Sequence, residues 1–187
     1  MYPEAYIDYL VHFHGDRDYF ECHEILEEYW KEKPPAERDP VWVSLIQIAV
    51  ALYHHRRGNF KGAERLIKNS LRFLNDSPGK LLKLGLIENE VKSLLETRLL
   101  DIQSRHPYGS LHLPIGDTEL EKACRHRAAS KGMKWQSLSD LNNDDIIHRH
   151  RTRDRSEVIE ERLNQLMLKK EAGQKNVESR RLFDKNE

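Results

Sequence analysis

The residues from Val41 to Arg57 constrain the fold most, because apolar side chains cover nearly the whole circumference of the helix that they predict. Such a helix packs on several sides and belongs at the centre of a helical bundle. Its polar exceptions lie together on one side: Ser44, Gln47, His54 and His55. The predicted central helix therefore carries one polar stripe.

The stretch Tyr19–Trp30 predicts a second helix, in which His23 and Glu27 fall inside a broad apolar arc. Burying a titratable pair costs several kcal/mol unless each partner finds a hydrogen bond or a charge. We therefore expect His23 and Glu27 to meet the polar stripe of the central helix. The predicted site, a buried polar or ligand site, consists of His23, Glu27, Gln47 and His54.

Helical spacing elsewhere predicts an all-α fold, a compact bundle of about five helices, with a polar helical extension at the C-terminal end. We assign the bundle to residues 1–104. Two prolines and two glycines within residues 106–116 predict a linker over 105–116. The helical extension covers 117–170, and residues 171–187 lack apolar spacing, which predicts a disordered tail.

The charge is uneven along the chain, although the whole sequence is formally neutral. Residues 1–40 hold eleven acidic and four basic side chains, a net charge of 4 − 11 = −7, so the remainder sums to +7. This asymmetry predicts an acidic face from the first two helices, with Glu21, Glu24 and Glu28 on it, and a basic extension. It is not the strong basic excess typical of a nucleic-acid-binding protein, and we expect no nucleic-acid partner.

The cysteines and the apolar runs indicate where in the cell the protein is expected. Two cysteines are present, and Cys22 lies on the apolar arc as a small buried hydrophobe, which is typical of a reducing cytoplasm. The longest apolar run, Val41 to Tyr53, is too short to span a bilayer. We therefore predict a cytoplasmic protein without membrane association.

Two motifs resemble one known family. The first is Gly15-Asp-Arg-Asp-Tyr-Phe-Glu-Cys-His-Glu-Ile-Leu-Glu-Glu-Tyr-Trp30, with a His-Glu-x-x-Glu-x-x-Trp pattern, and the second ends in Gly58-Asn-Phe-Lys-Gly-Ala63. In their order and separation they resemble the bacterial and archaeal family catalogued as domain of unknown function 309, over about residues 8–74. The resemblance implies a small all-helical bundle and brings no activity with it.

The chemistry of His23 and Glu27 has two readings. Four residues apart on one helical face, they could close a buried hydrogen-bond network that fixes how two helices pack. They could instead be two ligands of a divalent metal, with His54 among the residues that complete the site. The zinc-protease motif fails here, because Glu27 stands where its second histidine would be.

The function predicted from the sequence is that of a binding or interaction protein with no established catalytic activity, and no cofactor is predicted for it. A protein partner or a homo-oligomer fits this prediction. The alternative is a metal-dependent enzyme with a divalent metal held by His23, Glu27 and His54 in the bundle core.

Overall fold

The computed structural model describes residues 2–152, and this part of the chain is helical. Its helices are α1 (Glu4–His14), α2 (Tyr19–Glu32), α3 (Pro40–Arg56), α4 (Phe60–Asp76), α5 (Glu88–Gln103), α6 (Thr118–Ser130), α7 (Asp144–Ile147) and α8 (Arg149–Thr152). Short 3-10 turns lie at Pro35–Glu37 and Leu82–Leu84. The all-α prediction is confirmed. None of the helices within residues 2–152 is both long enough and apolar enough to cross a bilayer.

Local sequence signals explain where the helices begin. Asp18 caps α2 by accepting from the Glu21 N–H at 3.0 Å, and Asn59 caps α4 by accepting from the Gly62 N–H at 3.0 Å. Gly58 takes the left-handed conformation between α3 and α4, with φ 72°, which glycine adopts at little cost. The resulting turn is short, and it makes α3 and α4 antiparallel neighbours.

Helix α3 packs between α2 and α4. Its inner side carries Leu45 and Ile48, which are fully buried. The Leu45 carbonyl accepts a hydrogen bond from the buried Tyr9 hydroxyl of α1 at 2.9 Å. The inner side of α3 therefore belongs to the core, as predicted for a central helix. Its outer side is only partly covered.

Residues 105–116 differ from the predicted linker. Leu111 and Leu113 are 4% and 2% exposed, and Ile115 forms an isolated antiparallel bridge with Leu86. Their side chains belong to the same apolar core as those of α1–α5. Since residues 1–149 form one compact unit, the proline and glycine residues shape a packed extended segment and not a domain boundary.

Helix α6 docks on α1. Its buried face holds Leu120, Cys124 and Ala128 in the common core, and Arg127 forms ion pairs with Asp8 and Glu4. The first part of the predicted extension is thus part of the bundle. The rest of the predicted extension, from residue 153, and the predicted tail at 171–187 lie outside the described residues.

Candidate functional site

His23, Glu24 and Glu27 form one cluster on the surface of α2, which we call the α2 cluster. His23 Nδ1 lies 2.8 Å from Glu24 Oε1, and His23 Nε2 lies 3.6 Å from Glu27 Oε2. Lys31, one turn further along, places Nζ 3.2 Å from Glu27 Oε1. One ligand atom from each of His23, Glu24 and Glu27 can be chosen so that all lie within 4.8 Å of one another. The cluster could therefore hold a divalent cation, in competition with the Lys31 ammonium.

The burial expected for this pair is wrong. The His23 side chain is 29% exposed and that of Glu27 is 36% exposed, so both groups reach water. The physical reason is their position at the edge of the apolar arc, where α3 covers only one side of them. Phe20 shows this arrangement, because its ring contacts both His23, with centroids 6.1 Å apart, and Tyr53 of α3, at 6.2 Å.

Gln47 and His54 lie on α3 as predicted, half-buried on its outer side. His54 Nδ1 is 3.1 Å from the Asn59 side-chain amide at the turn into α4, and it lies outside the cluster of His23, Glu24 and Glu27. Desolvation lowers the pKa of His54, with smaller contributions from Arg57 and Arg65. Within residues 2–152, the candidate metal ligands that lie together are therefore His23, Glu24 and Glu27. His54, which was predicted to complete the site, does not belong to this group.

The outer side of α3 is a stripe of half-buried residues that we call the α3 face. It consists of Val43, Ile46, Gln47, Val50 and His54. These positions recur at helical spacing and lie opposite Leu45 and Ile48, the fully buried inner side. Three of the five are aliphatic, so the α3 face presents apolar surface to solvent.

The helices beside α3 present opposite charges. On α2 lies an acidic edge of half-buried and exposed glutamates, Glu24, Glu27 and Glu28, interrupted by Lys31. On α4 lies a basic edge of four exposed side chains, Lys61, Arg65, Lys68 and Arg72, of which Lys68 pairs with Glu64 at 2.7 Å. The α3 face therefore runs between a negative and a positive flank.

Sequence reasoning placed Glu24 and Glu28 on an acidic face, together with Glu21, but assigned Glu27 to the apolar arc. It missed the basic edge and the exposed side of α3. The signal for the basic edge was present, since Lys61, Arg65, Lys68 and Arg72 follow a spacing of four, three and four residues. The half-buried side of α3 had no such signal, because an apolar circumference does not say which side stays uncovered.

The two cysteines are poor nucleophiles. Burial raises the pKa of the Cys22 thiol well above its ordinary value and that of Cys124 to about 12, so both stay protonated at neutral pH. Thiolate chemistry at these residues is therefore suppressed.

Comparisons with known proteins agree with the motifs. The family described as Domain of unknown function (DUF309) matches residues 6–66, which contain the α2 cluster and all of α3. The protein named "Uncharacterized protein YpuF" of Bacillus subtilis (strain 168) is 49% identical over 172 residues, which covers 92% of this chain and 99% of the relative. No solved structure matches the chain.

Proposed function

This chain belongs to the DUF309 family, and we propose from its geometry that it works by binding protein through the α3 face. The occupant that we propose is a second copy of the chain. The observation that carries the proposal is the polarity of this surface, an apolar stripe with an acidic edge on one side and a basic edge on the other.

The apolar part supplies the attraction. Val43, Ile46 and Val50 are aliphatic, yet they are only partly buried on a helix that is apolar nearly all round. Removing such surface from water is worth about 25 cal/mol for each Å². A helix with this composition is typically covered on every side, which supports a partner on the uncovered one.

The charges select a twofold arrangement. In a symmetric dimer the axis lies in the plane of the interface, and both copies use the same patch. An axis parallel to α3 sets the acidic edge of one copy opposite the basic edge of the other. An axis perpendicular to α3 would instead set like charges against each other, which is unfavourable. The proposed dimer therefore has its two α3 helices parallel.

The size of the face suits a weak dimer. The face is about 25 Å long, which is the length of a helix such as α3. It is about 18 Å wide, which is twice the spacing between neighbouring packed helices. Two such faces bury about 1,000 Å², the lower limit for a specific interface. We expect association in the micromolar range.

The test is the solution mass of the full chain by sedimentation velocity over a range of concentrations. We expect the mass to rise from monomer to dimer, and Val50→Asp to remain monomeric because it places a charge in the centre of the apolar stripe. Leu100→Asp is the matched control, since Leu100 is 65% exposed on α5 and away from the α3 face. A wild-type chain that stays monomeric, or a dimer unaffected by Val50→Asp, contradicts the proposal.

A second candidate function is divalent-cation binding by His23, Glu24 and Glu27, which the proximity of their ligand atoms favours. All three side chains come from one helix, so such a site would leave most of the coordination sphere to water or to substrate. Calorimetric titration with zinc tests it, and the absence of heat beyond dilution would remove it.

A further inference from the structure

A small cavity of 240 Å³ lies between the side of α5 and the extended segment at 110–112. Among its lining residues are Leu94, Arg98 and Asp101 of α5 together with Ser110, Leu111 and His112. The volume is below the range of about 300–1,000 Å³ typical of sites for drug-sized ligands. An occupant would therefore be a molecule of few atoms.

Arg98 brings a positive charge to this cavity. Its guanidinium lies over the Tyr108 ring, 5.9 Å from the centroid, and no carboxylate within residues 2–152 forms an ion pair with it. Asp101, which also lines the cavity, is instead 3.2 Å from His106 Nδ1. The Arg98 donors are therefore not used by a salt bridge in the described part of the chain.

A second guanidinium lies behind the cavity wall. Arg17 is fully buried, and its Nη1 donates to the carbonyls of Phe13 and Leu111 at 2.8 and 2.6 Å. Its Nε donates to the Ser137 carbonyl at 2.8 Å, and its Nη2 lies 3.1 Å from His112 Nδ1. None of these acceptors carries a negative charge. Because Leu111 and His112 also line the cavity, the Arg17 guanidinium lies directly behind its wall.

The hydroxyl of Ser110 adds a neutral donor. Its oxygen accepts from the Ser139 N–H at 2.8 Å, which leaves the hydroxyl proton for another acceptor. Leu94 and Leu111 provide an apolar surface in the same cavity. The cavity thus combines a cation, a hydroxyl donor and two leucines.

We propose that this cavity binds a small monocarboxylate with a short apolar chain. The carboxylate pairs with the Arg98 guanidinium and accepts from the Ser110 hydroxyl, while the apolar chain contacts Leu94 and Leu111. A single negative charge matches the one guanidinium among the described residues that lines the cavity, Arg98, because Asp101 lies 3.2 Å from His106 Nδ1 and not in an ion pair with Arg98. Charge-assisted hydrogen bonds from a guanidinium to a carboxylate are about twice as strong as those between neutral groups.

The experiment is a titration of the full chain with sodium butyrate, followed by two-dimensional NMR of its backbone amides. We expect saturable shifts at Ser110 and His112, with a dissociation constant of about 1 mM for a ligand of so few atoms. Arg98→Gln should weaken binding about tenfold or more, and Ser110→Ala should weaken it by a smaller factor. Arg105→Gln is the matched control, because Arg105 is exposed beyond the end of α5 and does not line the cavity.

Butyramide, which has the same shape without the charge, should cause no shifts at these amides. Three results would overturn the assignment: no saturation by about 50 mM butyrate, far above the expected constant, equal shifts with butyramide, or equal weakening by Arg105→Gln. Inorganic phosphate that binds as tightly as butyrate would also overturn it, since the site would then recognise charge alone. Melting curves confirm beforehand that each variant is folded.

Discussion

Arg17→Met is the substitution whose effect on stability follows most directly from the structure. The buried guanidinium donates to three carbonyls, those of Phe13, Leu111 and Ser137, and so joins α1 to two segments more than 90 residues away in sequence. Methionine fills similar length but donates nothing. Its backbone would keep the left-handed conformation of Arg17, φ 60°, so that the conformational cost is the same in both proteins.

The expected loss is about 3 kcal/mol in the free energy of unfolding, at about 1 kcal/mol for each carbonyl left without its donor. For a chain of this size that corresponds to a fall in Tm of roughly 6–12 °C. Urea unfolding followed by circular dichroism measures it. Arg125→Met is the control, since Arg125 is 55% exposed and its pair with Glu121 is worth at most about 1 kcal/mol. An unfolding midpoint for Arg17→Met equal to that of the wild type would refute the structural role.

Three further predictions concern titration, the α2 cluster and metal. Burial lowers the pKa of His14 to about 3, so the unfolded chain binds a proton below pH 6.5 that the folded chain does not, and stability falls as the pH falls. Between pH 7 and pH 5 this effect lowers the free energy of unfolding by about 2 kcal/mol. His14→Phe should abolish this loss, as measured by urea unfolding at the two pH values. Equal losses in the wild type and in His14→Phe would contradict the prediction. Glu27→Ala should cost less than about 1 kcal/mol in the same assay, because the pair with His23 is partly solvated, and a larger loss would mean that Glu27 holds the fold together. If the α2 cluster binds zinc, the heat of a calorimetric titration should disappear in His23→Ala. The heat should persist in the control His126→Ala, which changes an exposed histidine of α6 outside the cluster. Heat retained in His23→Ala would exclude this site.

Helices were predictable from the sequence because their signals are local. The apolar circumference of α3 and the Gly58-Asn59 turn each depend on residues within a few positions of one another. The partial exposure of His23 and Glu27 was not predictable, because a residue at the edge of an apolar arc is buried or exposed according to how far the neighbouring helix reaches.

The packing of residues 105–116 was missed for a different reason. Its prolines and glycines are typical of linkers, whereas Leu111 and Leu113 alternate with His112 at the period of an extended segment with one buried side. That alternation is too short to be decisive alone. The buried Arg17 had no local signal at all, since its acceptors in Leu111 and Ser137 meet it only in the folded chain.

The proposed dimer predicts a specific rescue between two charge-reversed chains. In one, Glu24→Lys with Glu28→Lys makes the edge on α2 basic. In the other, Lys61→Glu, Arg65→Glu and Arg72→Glu leave Lys68 as the one basic side chain of the four and make the edge on α4 acidic, with a net charge of 1 − 3 = −2. Each variant alone would set like charges against each other across the parallel α3 helices, and each should be monomeric. In a mixture, both edges of one variant face opposite charges on the other.

The most direct measurement of the central claim is therefore sedimentation velocity of the two variants, separately and as an equimolar mixture, at a concentration where the wild type is dimeric. We predict monomers for each variant alone and a dimer of one chain of each kind in the mixture. A mixture that stays monomeric while the wild type dimerises, or variants that dimerise on their own, would contradict the assignment of the α3 face and its charged edges as the binding surface.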